Sequence, residues 1–165
     1  MSIQDVIHRI RSLKNLKVKA GVLKGATYED GTSVAEVAIK NEFGDPKTPS
    51  RPFMRRAIKK YGDQWKTDFS NGLADFIAGK AELHSIANRL GVLMQACIQE
   101  SIDSNIPPPN SPATIARKKA RIIGNRGTPI LDEHGNTAPS GSTQTLIDTG
   151  HMMKSISYEV IDEST

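Results

Sequence analysis

Asp148-Thr149-Gly150, preceded by the apolar pair Leu146-Ile147, has the composition of a proteolytic aspartate loop. In that chemistry two aspartates share one proton, because like charges at close range do not both ionise. The context opposes it. A dimeric enzyme of that kind needs a β-rich barrel and a flap after the loop. Here fifteen residues follow Gly150, and the first of them read as helical. The plainer expectation makes Asp148 the N-cap of a turn through His151–Ile156, with Gly150 relieving strain. His134 sits beside Asp132 and Glu133, but on a Gly-rich loop without the rigid spacing of a zinc or calcium site. His8, His84 and His151 are isolated. Cys97 lies on an apolar stripe and reads as a buried small hydrophobe. There is no phosphate-binding loop and no GxGxxG, HExxH or GxSxG pattern. The sequence therefore predicts no catalytic residue, no metal ligand set and no cofactor.

Two basic segments remain. Lys47–Lys60 holds Lys47, Arg51, Arg55, Arg56, Lys59 and Lys60 and no acid, with Pro52, Phe53 and Met54 interleaved. Arg117–Arg126 holds Arg117, Lys118, Lys119, Arg121 and Arg126 and no acid. Beyond Leu131 the balance reverses: Asp132, Glu133, Asp148, Glu159, Asp162 and Glu163 stand against Lys154. Such segregation is expected where basic and acidic segments meet, within a chain or across an interface. It is equally compatible with solvated faces. Either basic segment could neutralise phosphates, with steep salt dependence. No base-stacking platform or DNA-reading motif accompanies them, so passive, nonspecific contact is the nucleic-acid reading.

The elements that position these groups follow from periodicity. Ser2 caps a short helix to Leu13, with Ile3, Val6, Ile7 and Ile10 at helical spacing. Leu16–Leu23 alternates as a half-buried antiparallel strand. Thr32–Phe43 fits a helix better than a strand: Val34, Val37, Ala38 and Asn41 share a face, Thr32 or Ser33 caps it, and Gly44 ends it. Pro52 opens the longest helical tract. Its stripe runs Ile58, Tyr61, Trp65, Phe69, Leu73, Phe76, then Leu83, Ile86, Leu90, Leu93, Cys97, Ile98 and Ile102. One unbroken straight helix over it would reach about 75 Å at about 1.5 Å per residue, so either a break near Ala78–Lys80 into two helices or one long bent helix crossing a sheet is expected. Asn105–Ser111 runs extended, and Ser111-Pro112 opens a short helix to Ala120. Gly124–Thr145 is too poor in apolar residues to order itself and reads as a flexible loop or assembly arm. A last strand, with Ile156, Tyr158 and Val160 alternating, is expected to pair with Leu16–Leu23.

The chain has 165 residues, with 37% hydrophobic and only 5% aromatic residues, so an aliphatic core in one domain is expected. A single cysteine excludes an internal disulfide framework. Residues MSIQDVIHRIRS lack the apolar run of a signal peptide, and no window is apolar enough to span a membrane, which predicts a protein folded in the cytoplasm without membrane contact. Net charge is +4 and the pI about 9.2, too mild to define a nucleic-acid binder by itself. The fold expected is α+β: a small antiparallel sheet packed against one or two long helices, with a long flexible arm over 124–145.

Four segments, in order, carry a family resemblance. Lys19-Ala20-Gly21-Val22-Leu23 precedes Tyr28–Thr32, and Asn41-Glu42-Phe43-Gly44 leads into Pro49-Ser50-Arg51-Pro52-Phe53-Met54. Asn105-Ile106-Pro107-Pro108 leads into Ser111–Lys118, and Leu146–Gly150 leads into Met153-Lys154-Ser155-Ile156. From Lys17 to Val160 this order resembles small tailed-bacteriophage neck, tail-completion or virion-morphogenesis proteins, including relatives of minor tail protein Z. The resemblance implies a structural protein, not an enzyme, at the head–tail junction of a virion assembled in the host cytoplasm. It implies a homo-oligomeric ring, expected to be a hexamer, between a tail tube or terminator protein and a head connector or head-closure protein, with genome DNA in the lumen. Arg51, Pro52, Phe53, Arg55, Arg56, Arg117, Lys118, Lys119 and Arg121 are then the candidate interface or lumen residues. The alternative is a nonspecific basic nucleic-acid-binding module.

Overall fold

The computed structural model describes residues 2–13, 16–23, 25–122 and 144–162. In chain order the elements are α1 (Ile3–Ser12), β1 (Leu16–Val22), α2 (Val34–Phe43), α3 (Phe53–Ile77), α4 (Leu83–Asp103), α5 (Pro112–Ile122), α6 (His151–Lys154) and β2 (Ile156–Asp162). The fold is α+β, with one two-stranded antiparallel sheet laid on long helices.

Local chemistry accounts for the element ends. Ser2 and Asp5 form a reciprocal capping box at α1, Asp5 N–H donating to Ser2 Oγ at 3.2 Å and Ser2 N–H to the Asp5 carboxylate at 2.7 Å. At α5, Ser111 Oγ accepts from Thr114 N–H at 3.2 Å. At α2 the expected side-chain cap is absent: Ser33 holds the N-cap position without using its hydroxyl. Its backbone instead bridges Thr27, and Val34 N–H donates to Ala26 O at 3.0 Å. Asp148 does not cap α6 either. Gly150 is the N-cap residue at φ 77°, a left-handed conformation natural to glycine, and Thr149 Oγ1 accepts the His151 N–H.

The long apolar tract breaks where expected. Residues 78–82 separate α3 from α4, and the two helices, about 37 and 31 Å long, fold back on each other. A straight continuation could not bury both halves of the stripe, whereas the hairpin can. Its closed end is lined by Phe76, Leu83 and Ile86. The main core lies at the other end, where Phe53, Ala57 and Trp65 of α3 meet Cys97, Ile98 and Ile102 of α4. Val34 and Ala38 of α2, Leu146, Ile147, Met152 and Ile156 complete it.

The sheet packs mainly on α4. β1 and β2 pair in the register Leu16↔Asp162 to Val22↔Ile156, as the alternation predicted. A Cβ on Gly91 of α4 would overlap the ring of Tyr158 in β2, so the sheet approaches the helix at a distance only glycine permits.

No helix among the described residues is long and apolar enough to cross a membrane. Most of the 124–145 arm, with Asp132, Glu133, His134 and Arg126, lies outside the described residues. Its last two positions correct the expectation of a loose segment. Thr145 is buried, donating Oγ1–H to Ile106 O at 2.9 Å and N–H to Asn105 Oδ1 at 3.1 Å.

Gly91→Ala would gain about 1 kcal/mol of helix propensity. The overlap with Tyr158 outweighs that, and a net loss of about 1–3 kcal/mol is expected in urea unfolding.

Candidate interaction surfaces

The start of α3 has no capping side chain of its own: Pro52 occupies the N-cap position. The free N–H groups of the first turn are instead satisfied from α2. Glu42, buried to 5% exposure, accepts from Met54 N–H at 2.9 Å and Arg55 N–H at 3.1 Å. Arg55 then folds back, its Nε on the same carboxylate at 2.9 Å and Nη2 on Glu42 O at 2.6 Å, with the guanidinium 5.0 Å from the centre of the Phe43 ring. A carboxylate at a helix N-terminus also meets the positive end of the helix dipole.

Arg51 is buried and corrects the expectation of an outward-facing contact. Its N–H donates to Asn41 O, its Nε to Pro108 O at 3.0 Å, and Nη2 to Pro109 O and Asn110 Oδ1. It joins α2, α3 and the proline segment. Burial holds its guanidinium below the ordinary arginine range. Phe53 is likewise a core residue and Pro52 is half-buried.

Lys118 is corrected in the same way. It is 6% exposed, and its ammonium donates to Gln144 O at 2.7 Å and Ile147 O at 2.5 Å. Burial pulls it below the ordinary lysine value, against the opposing pull of Asp148. The internal carbonyls that hold Arg51 and Lys118 leave neither available to an acidic neighbour or DNA. Arg55, Arg56 and Arg117 remain exposed, as does Lys59, while exposed Lys60 pairs with Glu100 at 2.9 Å. The side chains of Lys119 and Arg121 lie outside the described residues. The exposed part of the candidate set therefore falls on two separate elements, α3 and α5.

A polar cleft of about 340 Å³ opens beside Lys118, with Tyr28, Asp30, Arg117, Asp148 and His151 on its wall. It brings two aspartates to one cavity. Asp30 Oδ1 accepts the Thr32 N–H at 2.9 Å, which holds that carboxyl below its ordinary range. His151 is turned to Thr27 O at 3.0 Å and tilts against the Tyr28 ring. The cleft thus has the bonding of a structural joint between the 26–33 loop, α5 and the 144–150 segment.

Among the described residues, two groups of large apolar side chains are exposed. The first is a groove of about 370 Å³ lined by Val22, Ala38, Ile39, Phe43 and Met54, with the Glu42–Arg55 pair at its rim. Ile39 is 58% exposed, Phe43 66%, and Ile58, one turn beyond Met54 on α3, 57%. The second is on α1. Val6 and Leu13 turn inward, and Arg9 anchors the helix by donating to Phe76 O at 2.9 Å with its guanidinium over the Phe76 ring. Ile3, Ile7 and Ile10 remain exposed, and α1 buries no residue fully.

The groove was partly legible beforehand. Ile39 and Phe43 fall off the face shared by Val34, Val37, Ala38 and Asn41, so the sequence already left them without a core to face. Glu42 had no such signal beyond an uncapped helix start.

Glu42→Ala removes the acceptor of two backbone N–H groups and of Arg55, and should cost about 2–3 kcal/mol in urea unfolding. Lys118→Met takes a donor from Gln144 O, which keeps Asn110, and from Ile147 O, and should cost about 1–3 kcal/mol near neutral pH. Because burial lowers the folded-state value of Lys118, the unfolded chain binds more protons at alkaline pH. The advantage of the parent over Lys118→Met should therefore grow as pH rises towards about 10.5, read from parallel unfolding curves.

Comparison with known proteins returns no matching family model, no matching curated protein and no matching solved structure.

Proposed function

We propose that this chain is a structural component of a tailed-phage virion, acting at the head–tail junction as a ring of identical subunits. The single observation that carries the reading is the placement of the two uncovered apolar surfaces. The groove lies at the N-terminal end of α3 beside Met54, and the α1 stripe at the other end beside Phe76. Twenty-two residues of helix separate them, about 33 Å at about 1.5 Å per residue. Neither can cover the other within one chain. A contact between unlike surfaces of successive copies is heterologous, and heterologous contacts close into rings or run on as filaments. That is the architecture implied by the co-linear segments resembling neck and tail-completion proteins. Partners under this reading are further copies of the chain, a tail tube or terminator protein and a head connector or closure protein. Exposed Arg56 and Lys59 would add nonspecific contact with DNA in the lumen.

The test is electron microscopy with mass spectrometry of particles from the cell that produces this chain. The expected outcome is a fixed copy number between head and tail. Absence from every particle, with salt-sensitive co-purification on nucleic acid, would replace this reading with the basic-module alternative.

A further inference from the structure

The two uncovered surfaces differ in shape: one is a groove, the other an amphipathic helix. Ile3, Ile7 and Ile10 stand at i, i+4 and i+7 on α1, the anchor pattern by which a helix occupies an apolar groove. The groove wall on α2 is equally regular. Glu36, Ile39, Lys40 and Phe43 fall at i, i+3, i+4 and i+7 and are all exposed. Its floor is built from Val22, Ala38 and Met54.

We infer that α1 of one copy docks in the α2–α3 groove of a second copy of this chain, with α1 antiparallel to α2. Charge selects the occupant and its direction. Arg11, exposed in the last turn of α1, follows Ile7 by four residues and so flanks the stripe. Laid antiparallel, Arg11 meets Glu36 at the start of α2, Ile7 meets Ile39, and Ile3 reaches Phe43. Laid parallel with Ile7 on Ile39, Arg11 falls at Phe43 and meets no carboxylate. Asp5 takes no part, since it lies on the opposite side of α1 from the stripe and is held in the Ser2 capping box. The α1 of the same chain is excluded as occupant, because Arg9 and Phe76 fix it about 33 Å away along α3. One such helix in one groove is a small contact, and its affinity between free copies is correspondingly low. A closed ring repeats it at each subunit, which multiplies its effect. The inference rests on the ring reading above for its biological role, and on the chain alone for its geometry.

The test uses two full-length single-cysteine proteins, Ile7→Cys and Ile39→Cys, each also carrying Cys97→Ala, with folding verified by circular dichroism. Mixed at about 1 mM under mild oxidation, they should give a disulfide-linked dimer that neither gives alone. Arg11→Glu on the first protein, or Glu36→Arg on the second, should lower the rate of cross-linking about threefold, and both together should restore it. Self-linking of Ile39→Cys as fast as the mixed product would indicate a face-to-face contact and overturn the inference. So would folded proteins that give no mixed product. If no mixed product forms but the chain is found in particles, this contact falls and the virion reading stands. If the product forms and rescue by the double exchange is seen, but the chain is absent from particles, the contact stands and the virion reading falls.

Discussion

The buried carboxylate of Glu42 is the constraint on which the rest of the arrangement depends. An α-helix begins with N–H groups that have no partner inside the helix. In α3 those groups face inward, and neither Arg51 nor Pro52 brings a side-chain acceptor to them. Glu42 reaches across from the end of α2 and accepts from Met54 and Arg55. That bond fixes the angle between α2 and α3, and with it the position of Phe53 in the core. It also orders Arg55 along the ring of Phe43, which shapes one wall of the apolar groove. A structural bond in the core and a feature of the surface thus have one origin.

A second polar joint is built around Arg51 and Lys118. Arg51 and Lys118 are cations buried against backbone carbonyls, and their partners lie in the proline segment and in residues 144–147. Asn110 serves both, accepting from Arg51 and donating to Gln144 O at 3.0 Å. Segments without regular hydrogen-bond ladders need side-chain partners for their backbone groups when buried. These residues supply them, and Leu146 and Ile147 are held in the core as a result. The Lys118–Gln144 bond holds α5 beside the 144–147 segment.

Arg51 and Lys118 are committed inside the fold, and large apolar side chains stay exposed near both ends of α3: Ile39, Phe43 and Ile58 at one end, Ile3, Ile7 and Ile10 at the other. Exposed apolar surface is a cost for a monomer in water and a source of affinity in an assembly. The separation of the two surfaces along α3 is what favours the proposed head-to-tail contact.

The sequence by itself determined the features that depend on near neighbours. The Ser2–Asp5 cap, the alternation that pairs β1 with β2, the start of α3 after Pro52 and its end before Gly79 all follow from periods of 2 and 3.6 and from residues within a few positions. The stripe from Ile58 to Ile102 excluded one straight helix once its length was compared with a domain, but left a bent helix and a hairpin both open. Tertiary structure decided which charges face water. Arg51 and Arg55 are four positions apart and chemically identical, yet one is buried and the other exposed. The difference lies in the carbonyls of Pro108 and Pro109, more than fifty residues away, and no local period encodes them. The same holds for Lys118 beside Arg117, and for Ser33, whose cap role is displaced by backbone bonds to residues 26 and 27. Periodicity states that a face exists, but only the packing of distant segments states what covers it.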